Sequence, residues 1–308
     1  MKWEKKGLIC NAKSMSIPWF KKNAMVPLPY LKSSNVLRIF LTMCDEHNIG
    51  RIGYVDVDPE NPSQILSFSE TPVLDTGVPG SFSEQGIVTS SLFEFDNKLY
   101  MYYSGYQANE KRPYSIFSGV AVSSDGVDNF RNLSDTPILD SIEGESCLRS
   151  SPTVIMDGED YLVWYTSDAR NGWVNDDGKL YPSYDMKFFR AKSPLDWSEC
   201  TGETCISLEG SDEFGIAKGT IWRELGLYKA LFSVRRFSSG YRLGYAYSYD
   251  GQNFVRQDHK VGIDVSESGW DSEMIAFPAR IECAGKIYLF YSGNHYGQGG
   301  IGYAELIK

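Results

Sequence analysis

One strand pattern returns along the whole of this chain and limits it to very few folds. Its clearest copy is Lys98 to Gly105, Lys-Leu-Tyr-Met-Tyr-Tyr-Ser-Gly, which returns at Asp160 to Ser167 and at Lys286 to Gly293. Weaker copies stand at Val36 to Leu41 and Leu227 to Ser233. Before each lies a short apolar segment, and after most lies a Gly-x-Ala type strand, as in Ser118–Ser124 and Tyr241–Ser248. Alternating aromatic and aliphatic residues suit strands packed on both faces. A unit of about four strands, repeated every roughly 50 to 65 residues, is the pattern of a β-propeller.

The copies define the organisation. Inner strands are expected to start near residues 23, 86, 150, 216 and 274. Turns such as Asp125-Gly126 and Asp250-Gly251 supply the positive φ of tight hairpins. An outer strand carrying one aromatic follows, at Phe130 and Phe254, with Ser193 to Trp197 in that place in the third copy. The last copy ends one strand short at Leu306, and Trp3 to Ile9 resembles the missing strand. The expected fold is therefore all-β: a single five-bladed β-propeller over residues 1–308, four antiparallel strands per blade. The N-terminal strand joins the last blade and closes the ring, which removes an open sheet edge. Residues Ser14 to Lys22 are not expected to be helical, because Pro18 interrupts them and no apolar stripe runs through them. A long polar loop is expected from Asp168 to Pro182, overhanging one face of the ring.

Composition narrows the function. A net charge of -10 over 308 residues disfavours nucleic acid and anionic membranes as partners. No apolar run reaches the ~18 residues of a membrane span, and no signal-type apolar core follows the N-terminal lysines, so the expected location is cytoplasmic. Six cysteines and three histidines, scattered through the chain, form no disulfide framework or metal-ligand spacing. Neither a metal nor a cofactor is expected. Phosphate-loop, serine-elbow and zinc-protease motifs are absent.

Propellers gather their chemistry where the inner strands converge, so residues before and on those strands are the candidates. They are Asn23 in the first blade, Glu84 in the second, Glu145 and Arg149 in the third, Glu213 and Lys218 in the fourth, and Asp271 with Glu273 in the fifth. Arg235 and Arg236 follow on the second strand of the fourth blade, and Asn294 and His295 lie in the glycine-rich turn after the last aromatic strand. Two carboxyls flanking a sugar can cleave a glycosidic bond, one protonating the leaving oxygen and the other attacking or activating water. Glu273 and Glu84 are the first choice for that pair, with Glu145 and Glu213 as alternates. Asp271, Arg149, Lys218, Arg235, Arg236, Asn23, Asn294 and His295 are read as substrate-binding. The competing reading makes the acids strand caps or partners of Arg149, Lys218 and Arg235.

Three segments carry a resemblance to a known group: Arg51 to Asp56, Lys98 to Gly105, and Gly269 to Ile275, continued by Tyr288 to Asn294. The chain resembles the five-bladed propeller glycosidases, which include arabinanases and xylosidases, invertases and mannoside phosphorylases. Within them it is most similar to glycosidase-like proteins of bacterial surface-polysaccharide gene clusters. The resemblance implies a carbohydrate-active enzyme working on a glycosidic or sugar-phosphate bond, by hydrolysis, phosphorolysis or transfer. It also implies an acidic residue at the first inner strand, but residues 11–30 contain none. Where it implies Phe-Asp-x-x-Gly at the second, this chain has Phe82-Ser83-Glu84-Gln85-Gly86. The alternatives are a non-catalytic glycan-binding or polysaccharide-assembly propeller and a protein-interaction propeller.

Overall fold

The computed structural model describes residues 1–109, 112–123, 126–198 and 200–307, with the backbone alone at 109, 112, 170 and 171. Ser124 and Asp125, named above at the end of a strand and in its hairpin turn, lie outside the described residues.

Strands pair with their sequence neighbours in antiparallel meanders. The first is β2 (Ala24–Ser33), β3 (Val36–Cys44), β4 (Gly50–Val57) and β5 (Ile65–Phe68). The second is β6 (Ile87–Phe95), β7 (Lys98–Asn109), β8 (Arg112–Ser123) and β9 (Arg131–Asn132). Then come β10 (Leu148–Asp157), β11 (Asp160–Asp176), β12 (Lys179–Ala191) and β13 (Glu203–Ile206). The fourth is β14 (Glu213–Glu224), β15 (Leu227–Arg236), β16 (Gly240–Ser248) and β17 (Val255–Arg256). The last holds β18 (Ala276–Cys283), β19 (Lys286–Ser292) and β20 (Ile301–Leu306), and its fourth strand is β1 (Trp3–Cys10), with Trp3 opposite Leu306. The chain is an all-β protein of the propeller type.

Local chemistry sets these hairpins. Four join their strands through two left-handed residues: Asp96-Asn97, Asp177-Gly178, Leu225-Gly226 and Ala284-Gly285. This turn follows the right-handed twist of the paired strands. At Asp250-Gly251 the Asp250 carboxylate accepts the backbone N–H groups of Gln252 and Asn253 and the side-chain amide of Asn253. Those bonds hold its carboxyl well below the usual range.

Apolar burial lies between neighbouring units rather than in one central mass. Phe40 and Ile52 pack with Phe82 and Met101, Tyr102 with Tyr165 and Trp197, and Trp164 with Phe232. Leu231 and Leu243 then meet Trp3 and Leu289, and Tyr288 and Phe290 meet Leu37 and Ile39. Each unit is therefore covered on both faces, which explains why its middle strands are almost continuously apolar and aromatic. Buried hydroxyls tie the same interfaces. The N–H groups of Val26, Thr89, Ser151 and Phe277 donate to Ser292, Thr42, Ser104 and Ser233 of the preceding unit, at 2.7–3.0 Å. Thr166 donates to the Ile216 carbonyl at 3.4 Å.

Two expectations need correction. Residues 168–182 are not a loop, because β11 runs on to Asp176 and β12 resumes at Lys179, with Trp173 opposite Pro182. Trp173 and Tyr181 pack on Tyr114 and Phe214, which fastens this ribbon to its neighbours. The outer strand of the third unit is β13, not Ser193 to Trp197. Trp197 is instead buried, stacked on Tyr102 at 5.0 Å, because its ring fills the gap to the second unit. Residues 14–22 form turns and no helix.

Candidate binding site

The first strand of every unit is interrupted near its start. Register shifts fall at Met25/Leu28, Thr89/Ser91, Ser150/Thr153, Ala217/Thr220 and Ala276/Ala279. At three of these bulges a residue preceding proline is left-handed: Val26 (φ 54°), Ser151 (φ 55°) and Phe277 (φ 57°). Such a conformation costs about 1–2 kcal/mol at a non-glycine residue. These residues sit where the strands converge, and all three line one cavity of about 260 Å³. That volume lies near the lower edge of the ~300–1,000 Å³ of small-molecule sites, so it admits one sugar unit rather than several.

The chemistry of this cavity is cationic and phenolic. Among the described residues its lining contains Lys218, Arg235 and five tyrosines (Tyr106, Tyr114, Tyr184, Tyr241, Tyr296), and no Asp or Glu. Lys218 projects from the bulge of β14, is 4 % exposed, and has no acidic partner among the described residues. Burial lowers its pKa to about 8. Arg235, two positions beyond the residue opposite Ala217 on β15, donates to the Tyr296 hydroxyl at 2.6 Å. Its guanidinium lies 4.8 Å from the Phe214 ring centre and 5.5 Å from that of Tyr296. Tyr184 and Tyr241 share a short hydrogen bond between their hydroxyls. Burial drives the Tyr241 phenol well above its ordinary pKa, so it stays protonated. Gly215 makes room for this pair, since a Cβ there would collide with the Tyr184 ring.

The structure does not bring the candidate carboxylates together around this cavity. Glu145 is buried, 2.8 Å from Arg149 and 3.0 Å from Lys187, and accepts from Tyr165 and Ser167. Arg149 also donates to the Asp140 and Cys200 carbonyls, which makes it a buried strut. Glu213 is clasped by Arg236 at 3.0 Å and Arg256 at 2.8 Å. Asp271 is 2 % exposed and accepts from Lys5 at 2.7 Å and Tyr291 at 3.0 Å, tying the β1 segment to the last unit. Glu84 is half-buried and accepts the Gly80 N–H at 2.6 Å. Glu273 is exposed, its carboxylate 3.2 Å from His295, beside the Tyr296 that lines the cavity.

The remaining candidates divide between scaffold and site. Asn294 accepts the N–H groups of Glu273 and Met274 and donates to Gly269, fixing the 269–274 segment. Asn23 donates to the carbonyls of His295 and Tyr296, where both residues are left-handed. Of all the candidates, Lys218 and Arg235 line the cavity. Sequence reasoning missed the tyrosines, although the Val26-Pro27, Ser151-Pro152 and Phe277-Pro278 pairs marked the bulges that surround them. Tyr184 and Tyr241 read as ordinary strand aromatics, because nothing in the third-strand pattern marks which tyrosines face the cavity.

Comparison with known proteins places this geometry. The glycosyl hydrolases family 32 N-terminal domain matches residues 68–272. The chain belongs to that family. An uncharacterized protein of Mycobacterium tuberculosis, Rv1502, is 30% identical to the family 32 chain over 306 residues, covering 99% of each. Among solved structures, a complex of BT0996 with RGII is similar at a TM-score of 0.73 and 16% identity, over 98% of this chain and 90% of that one. A member of the GH130 family of mannoside phosphorylases, described with glycoside hydrolases targeting β-1,2 mannosidic linkages in Candida mannan, has a TM-score of 0.72 and 13% identity, over 99% and 93%. An endo-arabinase from Bacteroides thetaiotaomicron gives 0.67 at 12% identity, over 98% of both chains. The family 32 chain thus shares the propeller scaffold of glycosidase-like proteins. On β2, where the resemblance implies an acidic residue, Met25 and Val26 line its cavity instead.

Proposed function

We propose that the protein is a single five-bladed propeller whose axial cavity takes an anionic sugar unit, a sugar phosphate or a uronate, in bacterial glycan metabolism. One observation carries this reading: the charges lining the cavity among the described residues are two cations and no carboxylate. Among the described residues Lys218 has no acid to neutralise it, so an anionic ligand supplies the missing partner and recovers part of the cost of burying the ammonium. Arg235, held among Phe214, Tyr241 and Tyr296, offers a planar fork suited to a carboxylate or phosphate. Aromatic walls suit the apolar faces of a sugar ring.

Titration calorimetry with glucose 1-phosphate, glucuronate and glucose tests it. The anionic sugars should bind at least about tenfold more tightly than glucose, and Lys218→Met and Arg235→Met should each remove that preference. Equal binding of neutral and anionic sugars would sink the reading. A second reading, cleavage by a carboxylate pair, rests on Glu273, the exposed acid 3.2 Å from His295, which precedes the cavity-lining Tyr296 in the chain. Turnover of an oligosaccharide that survives Glu273→Gln unchanged would remove it.

A further inference from the structure

The same cavity holds a proton acceptor, a proton donor and a fixed cation, none of them a carboxylate. We propose that it carries out β-elimination on a uronate-containing oligosaccharide, with Lys218 as base, the Tyr184–Tyr241 pair as acid and Arg235 as the clamp on the uronate carboxylate. The proposal rests on the anionic-sugar reading above and narrows it to one substrate class and one reaction.

Glycosidic hydrolysis uses two carboxyls on opposite sides of the anomeric carbon, and none lines this cavity among the described residues. Elimination needs different parts. The hydrogen on C5 of a uronate is α to the carboxylate, and it becomes acidic when a cation neutralises that carboxylate. Arg235 can act as that cation, because its guanidinium is confined by four aromatic rings at 4.8–5.6 Å and stays charged. Lys218 lines the same cavity from the bulge of β14 and has no ion-pair partner among the described residues to quench it. Burial lowers its pKa to about 8, so Lys218 meets the anion as an ammonium at pH 7 and supplies the neutral amine as pH rises through 8. Tyr184 and Tyr241, bonded to each other and in contact with the same cavity, supply a phenolic proton.

The step balances without a co-reactant. The Lys218 amine takes the C5 proton, and the C5–H electron pair becomes the C4=C5 double bond. The C4–O bond breaks, its electrons stay on oxygen, and that oxygen takes a proton from the tyrosine pair. The products are a 4,5-unsaturated uronate and a sugar with a free hydroxyl, with no water consumed. The Lys218 ammonium then returns its proton to the tyrosinate. One uronate ring fits the cavity of about 260 Å³, so the sugar bonded to its O4 leaves through the mouth.

The test incubates the full chain with short oligogalacturonates, alginate oligomers and oligoglucuronates. It follows the ultraviolet absorbance of the conjugated uronate, the product masses and calorimetric binding. The expected result is rising absorbance, with product masses that sum to the substrate without an added water. Lys218→Arg and Tyr241→Phe should lower that rate at least about 100-fold while melting as the parent does. If either variant fails to fold, Tyr184→Phe and the solvent-deuterium content of recovered substrate report the same proton transfers. Binding of uronates without elimination overturns this inference and leaves the anionic-sugar reading standing. Products carrying a water also overturn it, and failure to bind any uronate or sugar phosphate overturns both.

Discussion

The backbone N–H of Val26 donates to the Ser292 hydroxyl at 3.0 Å, joining the first inner strand to the last unit across 266 residues of chain. Both residues are buried, and Val26 lines the axial cavity, so one hydrogen bond serves ring closure and site geometry together. Removing the acceptor leaves a buried N–H unsatisfied, at a cost of about 1–3 kcal/mol. Ser292→Ala should lower the unfolding free energy by that amount in urea titrations and weaken sugar binding in parallel. A variant as stable as the parent would show that this bond contributes nothing to closure.

Glu145 separates a structural acid from a catalytic one. Burial alone would raise its carboxyl, but Lys187, Ser167 and Tyr165 outweigh that and hold it below the usual range. Glu145→Gln leaves Arg149 and Lys187 without their counter-charge in a buried setting, with an expected loss of about 3–5 kcal/mol. Thermal melting checks it. Unchanged stability accompanied by lost turnover would make Glu145 a catalytic group after all.

Asp185 is expected to cost stability at neutral pH. It is buried on β12, its Oδ1 has no hydrogen-bond partner among the described residues, and desolvation raises its carboxyl to about 6 from 3.8. The native state therefore holds more protons than the unfolded chain between about pH 4 and 6, and stability falls as pH rises through that window. Asp185→Asn should stabilise by up to about 3 kcal/mol at pH 7, with the gain gone below pH 4. A gain independent of pH would rule out this explanation.

For Lys218 the sign is opposite. Its pKa falls from 10.5 to about 8 on burial, so between those values the unfolded chain holds more protons and stability rises with pH. Lys218→Met should stabilise the free protein by up to about 3 kcal/mol at pH 7 and by little above pH 10.5. Binding of an anionic sugar should weaken as pH rises through 8, while Arg235 keeps its charge. Calorimetry at pH 7 and 9 checks this, and a flat profile would show that Lys218 does not meet the anion.

The strand repeat is legible in the residues because each unit must bury both faces, which forces the same aromatic alternation on one unit after another. The closing strand is legible for the same reason: Trp3 stands opposite Leu306 as an unfinished last unit requires. The ribbon over residues 168–182 reads as a loop because its composition is polar. Backbone pairing of β11 with β12, and the packing of Trp173 and Tyr181, override that composition.

At the site the balance reverses. Alternation, turn residues and repeat spacing are local properties of the chain, so they specify a β-propeller scaffold, and the glycosidase-like kind follows from the resemblance carried by segments such as Gly269 to Ile275. The residues also mark Lys218 and Arg235 as charges near converging strands. Which charges face the axis is a matter of long-range folding, because a carboxylate's role depends on its partner, and the partners come from distant segments. Lys5 meets Asp271 across 266 residues, Arg256 meets Glu213 across 43, and Lys187 meets Glu145 across 42. These pairings take Asp271, Glu213 and Glu145 into the walls, and among the described residues the groups left to line the cavity are two cations and a set of phenols.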